Sequence, residues 1–167
     1  MVAQRLVYED GMGLAACGDL LLIYYFDTPT VAHMKRVEAF ARALIAELGS
    51  TIIYSQIIAD GSALPGREAQ EWTVEMGTRL LSNIRGIVAF PRGNSFRSIA
   101  VRSVLRMVGM LLRTKQRIVD SDGEMLDAIN EYRSEKTPSR REITVLIREL
   151  ETARIGAERP FRRAVSA

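Results

Sequence analysis

The chain has 167 residues, 47% apolar and 26% charged, with 23 basic and 20 acidic side chains and a formal net charge of +3. These values fit one ordinary globular domain and exclude a disordered or collagen-like chain. One His and one Cys leave too few ligands for a zinc centre of the usual kind and rule out an internal disulfide, so neither metal nor cofactor is expected.

The elements follow in chain order. Leu6–Tyr8 and Leu14–Cys17 flank Glu-Asp-Gly-Met-Gly and read as a hairpin. Leu20–Phe26 is continuously apolar, the pattern of a central strand buried on both faces, and is far too short to span a bilayer. The opening MVAQRLVYEDG has no apolar signal region, so a cytoplasmic location is expected. Thr28-Pro29 offers an N-cap and a first-turn proline for a helix over about Thr30–Leu48, stopped by Gly49. His33, near the start of that helix, reads as a structural histidine. Thr51–Ala59 is rich in β-branched residues and reads as a strand. Asp60–Gly66 is a loop by its Gly, Pro and Asp content, followed by a helix over about Arg67–Leu81 with Ala69, Trp72, Met76 and Leu80 inward.

A further strand in Ile84–Pro91, an apolar helix Phe96–Leu112 and a short strand Gln116–Val119 come next. A helix capped at Ser121 or Asp122 then runs to about Tyr132. Alternating strands and helices predict an α/β domain, a mostly parallel sheet covered by helices, over 1–133. Ser134–Ser139 reads as a linker. Ser139-Arg-Arg-Glu142 is a capping box. It opens a C-terminal helical appendage over 140–156, with Ile143, Leu146, Ile147 and Leu150 at i, i+3, i+4, i+7. Residues 157–167 read as a basic flexible tail.

Pro91–Val119 carries Arg92, Arg97, Arg102, Arg106, Arg113, Lys115 and Arg117 and no acid. The rest of the chain has 23 − 7 = 16 basic against 20 acidic residues, so this segment sets the sign of the net charge. At 100° per residue, Ser98, Arg102, Arg106, Gly109 and Arg113 share one stripe of the helix. Phe96, Ala100, Val104, Met107, Val108 and Leu111 fall opposite and are expected to pack, leaving the arginine stripe outward with Ile99 and Met110 at its border. Such a face attracts acidic or mixed surfaces. The small net charge and the lack of a recognition motif exclude nucleic acid as the first choice.

The order of elements resembles the STAS/SpoIIAA-like fold of anti-sigma-factor antagonists and related bacterial regulators. The likeness is carried by the N-terminal hairpin, the following strand–helix alternations, RGIVAF with its apolar helix, and the ending IVDSDGEMLDAI. The resemblance implies a small, non-enzymatic protein that binds protein partners. It also implies a phosphoacceptor serine in the loop after the third long strand, which here is Asp60-Gly61-Ser62, with Gly between the Asp and the Ser that the family pairs.

The expected function is therefore a non-catalytic protein-interaction module in bacterial signalling. Arg102, Arg106, Arg113, Asp60 and Ser62 would form the partner face, and Ser62 is a possible phosphoacceptor. The partner is a protein of acidic or mixed surface, and a homodimer through the C-terminal helix is possible; neither nucleic acid nor membrane is expected. The alternative is a small-ligand or lipid-binding domain of the same fold, which requires a sizeable apolar cavity against Tyr24, Tyr25, Phe26 and Trp72. A carboxylate enzyme, in turn, requires two converging acids, for which Asp60 and Glu68 are the candidates.

Overall fold

The computed structural model describes residues 4–113 and 115–164, with residues 4 and 157–164 described by backbone alone. Among them, six strands form one sheet in the order β1-β2-β3-β4-β5-β6. The strands are β1 (Gln4–Glu9), β2 (Met12–Cys17), β3 (Leu20–Tyr25), β4 (Ile52–Ile58), β5 (Ile84–Pro91) and β6 (Gln116–Ile118). The first two pairings are antiparallel and the other three parallel. The β1–β2 turn is made by Asp10 and Gly11, both at positive φ (49° and 73°), the left-handed pair that matches the twist of a tight hairpin.

Helices cover both faces. On one face lie α1 (Val31–Leu48), α2 (Arg67–Leu80) and α3 (Phe96–Leu112); on the other lie α4 (Asp122–Glu131) and α5 (Arg140–Ala164). Side chains alternate accordingly. Leu20, Leu22, Tyr24 and Phe26 pack with α4 and α5, whereas Leu21, Ile23 and Tyr25 pack toward α1 and α2. The continuous apolar run of β3 is what a strand covered on both sides needs.

The caps hold the frame. Helix α1 starts at Val31, with Thr30 rather than Thr28 as its N-cap: His33 N–H donates to Thr30 Oγ1, and Thr30 N–H donates to His33 Nδ1, both at 3.2 Å. His33 Nε2 then donates to the Asp10 carbonyl at 2.8 Å, so this buried histidine ties the hairpin turn to α1. Gly49 ends the helix in the left-handed conformation. Glu38, buried on α1, joins α1 to α2 by accepting from Arg79 at 2.7 and 2.9 Å, with Arg42 adding bonds at 2.8 and 3.1 Å.

Helix α5 is part of the fold and not an appendage. Ile143, Leu146, Ile147 and Leu150 are buried in the same cluster as Leu22, Met125 and Ile129. The segment expected to be a linker is packed as well. Ser134 Oγ donates to buried Asp19 at 2.6 Å, Thr137 is buried, and Arg85 reaches the same Asp19 carboxylate at 2.5 Å. Helical backbone also continues past Gly156 to Ala164, where a flexible tail was expected. Residues 165–167 of that tail lie outside the described residues.

Candidate functional site

Helix α3 is where sequence and structure part. Its inward residues are Val101 and Leu112, with Leu105 half-buried against the same core and Ser98 buried beside them. Phe96 (85% exposed), Ile99 (56%), Met107 (45%), Met110 (74%) and Leu111 (63%) face outward. The expected orientation is thus overturned for Phe96, Met107 and Leu111.

The reason lies in the polar residues of the expected outer stripe. Ser98 Oγ donates to the Arg92 carbonyl at 2.8 Å and to Asp60 at 3.0 Å, so it is drawn inward. Gly109 lies against the Gln116 side chain, and a Cβ there would collide with it. Arg102, with only 15% of its side chain exposed, pairs with Asp120 and donates to the Pro91 carbonyl at 2.7 Å. These contacts roll the Ser98–Arg102–Gly109 line toward the C-terminal end of β5 and against β6. The larger apolar side chains on the far side are left in solvent.

The five expected site residues therefore separate. Arg102 is bound up within the fold. Arg106 and Arg113 are exposed, and among the described residues neither has a recorded hydrogen bond or ion pair. Asp60 accepts from Ser95 Oγ and Ser98 Oγ, each at 3.0 Å, and these bonds hold its carboxyl below the usual range. It is a tether between the β4–α2 loop and α3, not paired with Glu68, which is exposed in the first turn of α2. Ser62 is buried, its hydroxyl without a hydrogen-bond partner, four residues ahead of the Gly66 N-cap of α2. A kinase would reach that hydroxyl only after the loop opened.

What results on α3 is a ridge: Phe96, Ile99, Ser103, Met107 and Met110, spaced by three and four residues and hence on one helical face. On the β6 side the ridge is flanked by a concave surface lined by Arg106, Met110, Gln116, Arg117 and Ile118. On the α2 side a second is lined by Glu71, Val74, Glu75, Met107 and Val108, among others. One flank is basic, and the other carries two acids, Glu71 and Glu75, together with Arg67, which pairs with Glu71. The sequence signal for the ridge was present but ambiguous. An apolar helix with apolar residues around most of its circumference does not declare its inner side by period alone.

The remaining polar clusters are structural. Half-buried Arg92 donates to Tyr24 Oη at 2.7 Å, to Glu151 at 2.8 Å and to Asp122 at 3.0 Å. Burial by itself would lower its pKa, but Glu151, Tyr24 and Asp122 together hold it above its ordinary value. The residue thereby clamps α4 and α5 to the ends of β3 and β5. Trp72 is half-buried, with Lys35 and Arg79 about 5 Å from its ring. Among the described residues, no group of three or more His, Cys, Asp or Glu is placed to hold a metal ion, and no helix is long and apolar enough to cross a membrane.

The cavity expected for a small ligand does not form as expected. Tyr24 and Phe26 stack under α4 and α5, while Tyr25 and Trp72 lie across the sheet, so the four cannot line one space. Two cavities of about 50 Å³ each lie between α2 and α3, beside Tyr54, Gln56, Thr73 and Leu105. Each is large enough for water and well below the several hundred Å³ of a ligand pocket.

No family model matches the sequence, and no curated protein matches it. Among solved structures, the chain is similar to an uncharacterized protein of the DUF3478 family with a SpoIIAA-like fold, from Shewanella loihica PV-4. The likeness has a TM-score of 0.50 at 9% identity and covers 79% of this chain and 94% of that one. At that identity the likeness is one of fold. The α/β, mostly parallel, SpoIIAA-like architecture expected from the order of elements is the one the chain adopts.

Proposed function

We propose that the protein is a non-catalytic interaction module of bacterial signalling, docking a protein partner of acidic or mixed surface on α3. The observation that carries this reading is the α3 ridge, an exposed apolar strip bordered by Arg106 and Arg113, both exposed and without an ion-pair partner among the described residues. Contiguous apolar surface rimmed by polar groups marks interaction sites on soluble proteins. The buried centre of an interface favours Met and aromatic residues, with Arg as the charged residue tolerated there. The ridge supplies the centre through Phe96 and Met110, and the arginines supply the rim. Charge at the rim sets orientation and association rate more than affinity.

Relative to the five residues expected from sequence, the partner face moves outward. Arg106 and Arg113 stay in it, Phe96, Ile99, Met107 and Met110 join it, and Arg102, Asp60 and Ser62 become its scaffold. Affinity capture from a cell lysate, with cross-links mapped onto α3, tests this. An Arg106→Glu/Arg113→Glu variant that keeps its circular dichroism is expected to lose the cross-linked partner. Unchanged recovery, or cross-links confined to α4 and α5, would sink the assignment.

A further inference from the structure

The flanks of the α3 ridge are of opposite charge, and that asymmetry points to a particular occupant. On the β6 side Arg106 lines the surface with Arg117, and Arg113 follows at the C-cap of α3; among the described residues neither Arg106 nor Arg113 has an ion-pair partner. On the α2 side stand Glu71 and Glu75, whose side chains are 57% and 64% exposed. Glu71 is bound to Arg67, itself 92% exposed; Glu75 meets Arg79 only at 3.5 Å, and Arg79 is already engaged by Glu38 at 2.7 Å. Ion pairs this open to solvent are weak and exchange partners readily. The acids line one surface with Met107, and Arg106 lines the other with Met110. Met107 and Met110 are three residues apart, so the two flanks lie on opposite sides of the ridge within one helical turn of each other.

We infer that the α3 ridge binds a second copy of this chain, the two α3 helices lying parallel about a two-fold axis that runs along them. An isologous interface brings the same patch to both sides, so its flanks must be self-complementary. With the axis parallel to the helices, the basic flank of each chain lies over the acidic flank of the other. Arg106 then meets Glu71 and Glu75 of the second copy twice over. With the helices antiparallel, the basic flanks would face each other, and the acidic flanks likewise, which is repulsive. The ridge has the apolar composition such a seam requires: Phe96, Ile99, Ser103, Met107 and Met110, at successive spacings of three, four, four and three, lie on one face of α3. Flanking charges of opposite sign then fix orientation, as they do at the edges of coiled-coil seams. The β1 edge, with Leu6 and Val7 partly exposed, has no comparable charge asymmetry outside its pairs to α1: Arg5 is held by Glu47 and Glu9 by Arg36.

This pairing rests on the same ridge as the docking function, and a partner would have to displace it. The two are separated by the material used, since self-pairing is read on the purified chain alone and docking needs the partner. Sedimentation velocity of the purified full chain is expected to show a dimer. Met110→Asp, on a side chain 74% exposed, should abolish it with the helix content unchanged. Arg106→Glu/Arg113→Glu and Glu71→Arg/Glu75→Arg should each weaken dimerisation at least tenfold, and an equimolar mixture of the two should form the mixed dimer. Because Cys17 is buried, a Phe96→Cys chain should cross-link to itself under mild oxidation if the helices run parallel, and not if they run antiparallel. A monomeric wild type at about 100 μM, a dimer indifferent to Met110→Asp or to the flank charges, or a Phe96→Cys chain that stays uncross-linked overturns the inference. None of those results touches partner capture.

Discussion

Helices α3 and α5 each present an apolar stripe, and they meet opposite fates. In α5 the stripe of Ile143, Leu146, Ile147 and Leu150 is buried, and the rest of the helix is charged enough that only one side can face the sheet. In α3 apolar residues occupy most of the circumference. The face that docks is selected by small and polar residues, Ser98, Arg102 and Gly109, which satisfy partners at the strand ends. A strongly amphipathic helix is thus oriented by burial. A nearly all-apolar one is oriented by its few polar contacts, and it leaves apolar surface outside as a result. One region is core that the sequence disguises as an appendage; the other is surface that the sequence disguises as core.

The most severe way to break that contrast is to truncate equal apolar side chains in the two helices. Leu150 is completely buried, so Leu150→Ala removes packed methylenes and leaves a cavity, at about 3 kcal/mol. Met110→Ala removes a side chain that is mostly in water and should change stability by less than about 0.5 kcal/mol. Urea unfolding of the two variants measures both. Equal losses would mean that α3 packs as tightly as α5 and that the ridge does not exist.

The second test concerns the face on which α3 sits. Its neighbours α1 and α2 are joined by Glu38, whose bonds from Arg79, and secondarily from Arg42, hold its carboxyl down at about 2 against an ordinary 4.5, despite the opposing effect of burial. A depressed folded-state pKa contributes stability that is present in full above pH 4.5 and is lost as pH falls toward 2. Glu38→Gln should therefore cost about 2 kcal/mol at pH 7, since one partner of a partly solvated buried pair is removed, and the cost should shrink steadily below pH 4.5. Thermal unfolding of wild type and variant between pH 7 and 2.5 reads the difference. A constant gap across that range would show that the α1–α2 contact does not depend on the charge.

Much of this was legible beforehand. The type and order of every element from β1 to α5 follow from period-2 and period-3.6 patterns and from caps such as Gly49, Ser121 and Ser139. The fold class follows from the alternation. Three things did not follow, for separate reasons. Ser134–Ser139 has the composition of a linker, but buried Asp19 needs hydrogen-bond donors, and Ser134 supplies one from 115 positions away. The docking of α5 depends on room left beside α4, which no local pattern encodes. The inner face of α3 depends on Asp60, Asp120 and the Pro91 carbonyl, all outside the helix. Local signals gave the elements, and long-range polar contacts decided which faces remain for a partner.

The finest contrast lies within α3, between two arginines one turn apart. Arg102 and Arg106 differ by four positions and look equivalent on a helical wheel. Arg102 is folded against the protein, bonded to Asp120 and to the Pro91 carbonyl, whereas Arg106 projects into solvent. Arg102→Leu leaves the part-buried Pro91 carbonyl short of a donor, whereas the Asp120 carboxylate is 72% exposed and turns to water, so about 1 kcal/mol of stability should be lost. Among the described residues Arg106 makes no hydrogen bond or ion pair, so Arg106→Leu should fall within about 0.5 kcal/mol of wild type. In partner capture and in self-association the order should reverse, with Arg106 the sensitive position and Arg102 acting only through the seating of α3. Matched denaturation and binding measurements on the two single variants would therefore cross. If they ran in parallel instead, the division of the arginine stripe into scaffold and rim would be wrong, and the whole stripe would have to be treated as one surface.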